Sequence, residues 1–263
     1  MTRLSWDEVG ERFYETGTKC VVVYPKTTAG AYDTGAAWNG VTAITDRPSG
    51  AEETALYANN HKYLGLRSAE ECGLTIEAYT YPDEWAECDG SVNVIPGAVL
   101  HQQTRKGFGL TYRTELGNDV AYDSYGYKLH LVWNGMAAPS EKSYQTINDS
   151  PEAITFSWEV STTPVEFGNG LKPSAYLEID STKINAAKLT VIENLLYGTE
   201  NTEPTFPTPA QILEILDNDV YTAVTPQTGA NPQANSWYEL DDGTYTATTD
   251  TSVTEGKTYY AKN

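Results

Sequence analysis

A mostly β protein, built as a sandwich or barrel, follows from three features of this 263-residue sequence. Short segments alternate apolar and polar residues and are rich in β-branched and aromatic side chains, 19 Tyr among them, as a pleated surface requires. Turn formers are abundant, with 21 Gly and 13 Pro. Helix signals are few. The clearest strands are residues 19–24, 62–67, 74–81, 108–115, 125–133, 153–160 and 175–179. In 125–133 the odd positions Tyr127, Leu129, Leu131 and Trp133 are apolar, while Lys128 and His130 take the other face. That pattern predicts a half-buried antiparallel strand. Ile154, Phe156, Trp158 and Val160 repeat it, and two such strands suggest a sandwich or barrel core.

Three helices are expected. Asp180-Ser181-Thr182 can cap one running through Tyr197, with Ile184, Ala187, Val191 and Leu195 as its stripe and Gly198 as its stop. Thr208 as cap and Pro209 at the first position open a second, which carries Ile212, Leu213, Ile215 and Leu216. A third is placed at 51–58, inside a long loop after Pro48-Ser49-Gly50. Pro204, Pro207 and Pro209 make 198–209 read as a stiff linker. The resulting division is a β core with flanking helix at 1–198, a Pro-rich linker and short helix at 199–217, and an appended β module at 218–263. An echo predicts that module: Asp219-Val220-Tyr221-Thr222-Ala223-Val224-Thr225 matches Gly243-Thr244-Tyr245-Thr246-Ala247-Thr248-Thr249. Trp237-Tyr238 and Tyr259-Tyr260 follow the two copies, as two strand-turn-strand units would.

The chain carries 17 Lys+Arg against 36 Asp+Glu, a formal charge of −19. Phosphate neutralisation needs clustered cations, so the balance argues against nucleic-acid binding and against docking on anionic lipid. Residues 190–256 contain no Lys, Arg or His. The longest apolar run, 20–24, is too short to span a membrane, and the opening residues hold no apolar stretch of a secretory signal. Three cysteines, an odd number in a long chain, point to a reducing site of synthesis.

The search for chemistry assigns no catalytic, cofactor-binding or metal-ligating residue, and no enzyme is expected. Cys72 and Cys88 with His61 and His101 lack the closely spaced ligand pairs of a structural zinc site, and no flanking signature supports a Cys–His nucleophile. Asp83, Glu84, Glu87 and Asp89 surround Trp85 and could serve glycoside hydrolysis or form an acidic turn. Gly107-Phe108-Gly109 lacks the third glycine of a dinucleotide fingerprint. Asp217-Asn218-Asp219 lacks the glycine and late glutamate of a calcium loop. Asn148-Asp149-Ser150 fits a glycosylation sequon but is followed by Pro151.

Longer strings are more specific. Leu4-Ser5-Trp6-Asp7-Glu8-Val9-Gly10-Glu11-Arg12-Phe13-Tyr14-Glu15-Thr16-Gly17, Ala37-Trp38-Asn39-Gly40-Val41-Thr42, Glu77-Ala78-Tyr79-Thr80-Tyr81-Pro82-Asp83-Glu84 with Cys88-Asp89-Gly90, and Tyr112-Arg113-Thr114-Glu115-Leu116-Gly117-Asn118-Asp119 stand out. Together with Asn148-Asp149-Ser150-Pro151-Glu152-Ala153-Ile154-Thr155-Phe156-Ser157-Trp158-Glu159, they resemble major tail (tube) proteins of long-tailed, non-contractile bacteriophages, over about residues 1–216. The resemblance implies a β-sandwich or barrel tail-tube core with a flanking helix, here 183–197. It implies hexameric rings stacked into a hollow tube of the virion tail, made in the bacterial host cytoplasm. The implied partners are further copies of the chain, the tape-measure protein in the lumen, and the tail terminator and tail-tip proteins. DNA would pass through without specific binding, and no membrane is involved. The loop 46–60 is nominated as an inter-ring contact. Arg105, Lys106 and Arg113 are candidates to pair acids across interfaces. The continuation past 217 departs from the family pattern; surface decoration with weak glycan affinity through Trp237, Tyr238, Tyr259 and Tyr260 is one reading of it. The alternatives are a monomeric carbohydrate-binding or adhesion β protein, and a hydrolase using Asp83, Glu84, Glu87 or Asp89.

Overall fold

Residues 3–147, 149–168, 170–218, 221–226, 229–241 and 244–262 are described by the computed structural model. In chain order the strands are β1 Phe13–Pro25, β2 Ala36–Ala37, β3 Val41–Asp46, β4 Ser49–Gly50, β5 Glu53–Ala58, β6 His61–Arg67, β7 Glu70–Glu71, β8 Gly73–Ala78, β9 Ser91–Ile95, β10 Ala98–His101, β11 Phe108–Asn118, β12 Tyr122–Ala137, β13 Phe156–Thr162, β14 Tyr176–Asp180, β15 Tyr221–Val224, β16 Trp237–Asp241, β17 Thr244–Ala247 and β18 Tyr259–Lys262. The helices are α1 Trp85–Cys88, α2 Ala186–Tyr197 and α3 Pro209–Asp217. The mostly β expectation stands, and each of the seven expected strands is present with its ends moved by a few residues.

One antiparallel sheet runs in the order β2-β1-β11-β12-β13-β8-β3, with β14 also on β12. The 16-residue β12 is its branch point. One edge of β12 pairs with β11. The other is shared, Lys128–Val132 with β14 and Gly135–Ala137 with β13. The far strand β3 lies against β1, so the sheet rolls back on itself. Inside the roll, Trp38, Trp85, Phe108 and Trp158 form one core, with ring centroids 4.5–5.5 Å apart in tilted and edge contacts, the geometry aromatic quadrupoles favour. Outside it, Tyr24, Leu131 and Trp133 pack against Ile192, Phe206 and Ile212 in a second core.

Two cores on one sheet correct the half-buried reading of 125–133. Leu129, Leu131 and Trp133 face the helices, while Val132 and His130 are buried in the roll. The alternation was real; the polar face is covered as well.

The helix near 180 starts later than expected. Asn185 caps it, its side chain accepting from the Ala187 N–H at 2.8 Å. Asp180 instead closes its own turn on Thr182. The buried stripe is therefore Leu189, Ile192 and Leu196, one position beyond the expected one. The helix from Pro209 forms as expected, with a reciprocal capping box: Thr208 Oγ1 accepts from Gln211 N–H and Gln211 Oε1 accepts from Thr208 N–H. The helix expected at 51–58 is a strand, β5. Asn59 and Asn60 both take positive φ, 50° and 60°, turning the chain so that β5 pairs with β6.

The Pro-rich stretch is packed down. Phe206 is buried in the second core, Pro207 O accepts from Trp133 Nε1 at 3.0 Å, and Pro204 O accepts from Gly35 N–H. Gly109 is bare because Phe206 lies over it: a Cβ there would sit 2.7 Å from the ring.

Beyond α3, four strands pair in the order β15-β18-β16-β17. The echoed segments supply the outer strands β15 and β17, and the aromatic pairs begin the inner strands β16 and β18. Asp219, Val220 and Gly243 of the echo lie outside the described residues. Among the described residues, neither main core contains one beyond Leu216.

Candidate assembly surfaces

Two hairpins leave the roll with both faces in solvent. In β5–β6, Leu56 opposes Leu64 and Thr54 opposes Leu66. Period two puts these four on one face, and Leu56, Leu64 and Leu66 are each 42–51 % exposed. On the same hairpin Glu53 pairs with Lys62 and with Arg67. The hairpin is amphipathic, with a leucine face that none of the described residues covers. It includes part of the nominated loop 46–60.

In β9–β10, Pro96-Gly97 makes the turn, with Gly97 at φ 84°, as Pro followed by a positive-φ Gly favours. Ile95 opposes Ala98, and Val92 opposes Leu100. Val92, Val94, Ile95, Val99 and Leu100 are all 43 % exposed or more. At its base Ser91 Oγ meets His101 Nδ1 at 2.9 Å. Further large apolar side chains stand out on the N-terminal arm, Leu4, Trp6 and Val9, and between β12 and β13, Tyr144 and Ile147. That last segment is pinned by Lys142, whose ammonium reaches the buried Asp89 at 2.7 Å beneath the Tyr81 ring.

The roll also holds a buried polar row. His130 is 3 % exposed. Its Nδ1 meets Tyr176 Oη at 2.6 Å, its Nε2 meets Thr114 Oγ1 at 2.8 Å, and its ring stacks on Tyr112. Glu15 and Glu178 flank it, each 3.9 Å from a ring nitrogen, and Lys128 bridges the two carboxylates. Burial lowers the His130 pKa against the pull of Glu178, Glu15 and Asp46, and pushes the Tyr176 phenol up to about 12. Burial also opposes ionisation of Glu15, but hydrogen bonds from Lys128 and Thr114 win and hold its carboxyl low. Neutral imidazole and protonated phenols make this row a hydrogen-bonded tie between β1, β11, β12 and β14. Beside it, Asp46, Cys72 and Tyr176 line a cleft of about 1030 Å³.

The sequence-derived candidates are scattered. Cys88 is buried in the first core, Cys72 lines the cleft, His61 lies at the β5–β6 turn, and His101 sits at the base of β10. Burial raises both thiols, Cys88 to about 12, which keeps them from thiolate chemistry. Among the described residues no group of three His, Cys, Asp or Glu could hold a metal, and no helix is long and apolar enough to cross a membrane. Asp83, Glu84 and Glu87 line an open cleft of about 500 Å³. Asp89 turns inward instead, accepting from Trp158 Nε1 at 3.1 Å. Asp217 ends α3 and Asn218 caps it, while Asp219 and Asn148 lie outside the described residues.

Arg105, Lys106 and Arg113, the candidates for pairing across interfaces, each have a partner within the chain. Lys106 holds Glu87, Arg113 holds Glu193 at 3.2 Å and stacks over Tyr127, and Arg105 donates to Asp89 O. In the C-terminal module Tyr259 is fully buried with Trp237 against it, and Tyr260 packs on Tyr245. Tyr259 therefore serves the module's own core, while Trp237, Tyr238 and Tyr260 stay partly exposed.

No family model and no curated protein matches this chain. Among solved structures it overlaps a chain of the cryo-EM structure of the anti-feeding prophage (AFP) baseplate, 6-fold symmetrised, at 10 % identity and a TM-score of 0.36. The overlap covers 69 % of this chain and 100 % of that one. It is too slight to carry a fold or a role across.

Proposed function

We propose that this chain is a bacteriophage structural protein that assembles with its own copies into stacked, hexameric rings, the tube of a virion tail. The observation that carries the reading is the uncovered leucine face of β5–β6 on a rolled β body. Contiguous apolar surface on an exposed hairpin marks an interaction site. The sequence strings that resemble tail-tube proteins support the same reading. In that role the lumen encloses the tape-measure protein and later conducts DNA, the tube ends meet terminator and tip proteins, and the chain performs no catalysis. A charge of −19 per copy suits a conduit that must repel phosphate.

Light scattering and negative-stain microscopy of the purified chain test it. Rings near 173 kDa, six copies of 28.9 kDa, or hollow tubes are expected, and Leu64→Glu should block higher assembly with the melting curve unchanged. A chain that stays monomeric at high concentration, with tip complex supplied, would falsify the proposal and favour a monomeric binding protein.

A further inference from the structure

The second hairpin differs from the first in one respect that selects its partner. Residues 91–101, Ser-Val-Asn-Val-Ile-Pro-Gly-Ala-Val-Leu-His, contain no Asp, Glu, Lys or Arg, in a protein that is 20 % charged. An isolated two-stranded hairpin is marginal in water. Its open edges invite pairing unless charges or prolines protect them, and here the only proline is in the turn. Two copies at −19 each repel over most of their surfaces. Ion pairing offers little relief, because at least eleven of the 17 Lys and Arg already hold acids within the chain. A basic partner would be drawn to the acidic surface and gain nothing from an uncharged hairpin. A second copy gains most there, since that is where contact adds no like charge.

We infer that the β9–β10 hairpin is a contact between copies of this chain, seated on a neighbouring copy through Val94 and Ile95. The inference rests on the self-assembly reading and assigns a surface within it.

The test uses the full chain with three changes at one position. Val94→Glu should stay monomeric at concentrations where the wild type associates, with wild-type circular dichroism and melting. Val94→Thr, close in shape and uncharged, should still associate. A photo-crosslinking residue at position 94 should join two copies into a band of twice the mass. If Val94→Glu folds and associates as the wild type does, or if the position 94 probe gives no copy-to-copy link in associating protein, the hairpin assignment falls and self-assembly stands. A wild-type chain that never associates overturns both. Flotation with phosphatidylcholine vesicles, lost in Val94→Glu, would replace the neighbouring copy with a membrane.

Discussion

His130 folds as a neutral imidazole, and that fixes a direction for pH dependence. Its folded pKa lies below the ordinary value of 6.5 because burial disfavours the cation. The unfolded chain therefore binds the proton first as pH falls, and His130 draws stability down from about pH 6.5 toward its folded pKa. Above that window the contribution is flat. Glu15 acts later: its lowered pKa gives stability that is lost as pH drops through and below the ordinary carboxylate range. Melting followed from pH 8 to pH 5 should show a decline in the wild type that His130→Gln reduces. An equal decline in both would assign the slope to other groups. A second contact at this scale is Gly109 beneath Phe206. Gly109→Ala forces a Cβ within 2.7 Å of a buried ring, and overpacking of this kind costs about 1–3 kcal/mol. Because the clash needs both partners, the Gly109→Ala penalty should shrink in a Phe206→Leu background, as a double-mutant cycle in denaturant would show.

Secondary elements were legible where local chemistry and burial agreed. The box Thr208-Pro209-Ala210-Gln211 names the start of α3 residue by residue, and Thr208→Ala should cost about 1 kcal/mol in urea unfolding; no loss would mean that Ile212 packing alone holds the helix. Strands with aromatic alternation, 125–133 and 153–160, were equally plain. The failures have physical causes. Residues 51–58, Ala-Glu-Glu-Thr-Ala-Leu-Tyr-Ala, are good helix formers, but Asn59-Asn60 tolerates left-handed backbone and makes a hairpin of them. α2 starts late because Asn185, three residues past Thr182, satisfies the Ala187 N–H, and its buried stripe differs by one because packing into the second core selects Leu189, Ile192 and Leu196. His130 falls on the polar face of its strand by period two, which assigns a face and cannot say whether another layer covers it. The β9–β10 hairpin was visible only as a run of eleven residues without charge around Pro96-Gly97, a signal of absence that motif reading passes over.

At the scale of the whole molecule, the C-terminal strands and the roll are separable in their cores. No described residue past Leu216 enters either main cluster, and Tyr259 anchors its own small sheet through Asp250. A chain ended after Asn218 should keep its melting transition and its capacity to assemble; lost assembly with native melting would give the module a place in the interface. Charge then decides how assembly responds to salt. Each copy brings −19, and most cations are engaged inside the chain. In the proposed assembly the net electrostatic force between neighbours is therefore repulsive, and the attraction has to come from apolar hairpin surface. Raising ionic strength from about 0.01 M to about 0.15 M shortens the Debye length from roughly 30 Å to roughly 8 Å, which screens the repulsion and leaves hydrophobic contact intact. Association followed by light scattering should accordingly strengthen with salt across that range. An interface built on intermolecular ion pairs would respond in the opposite sense and weaken. The sign of that single slope thus separates contact through the uncharged hairpin and leucine face from contact through exchanged Lys and Arg partners.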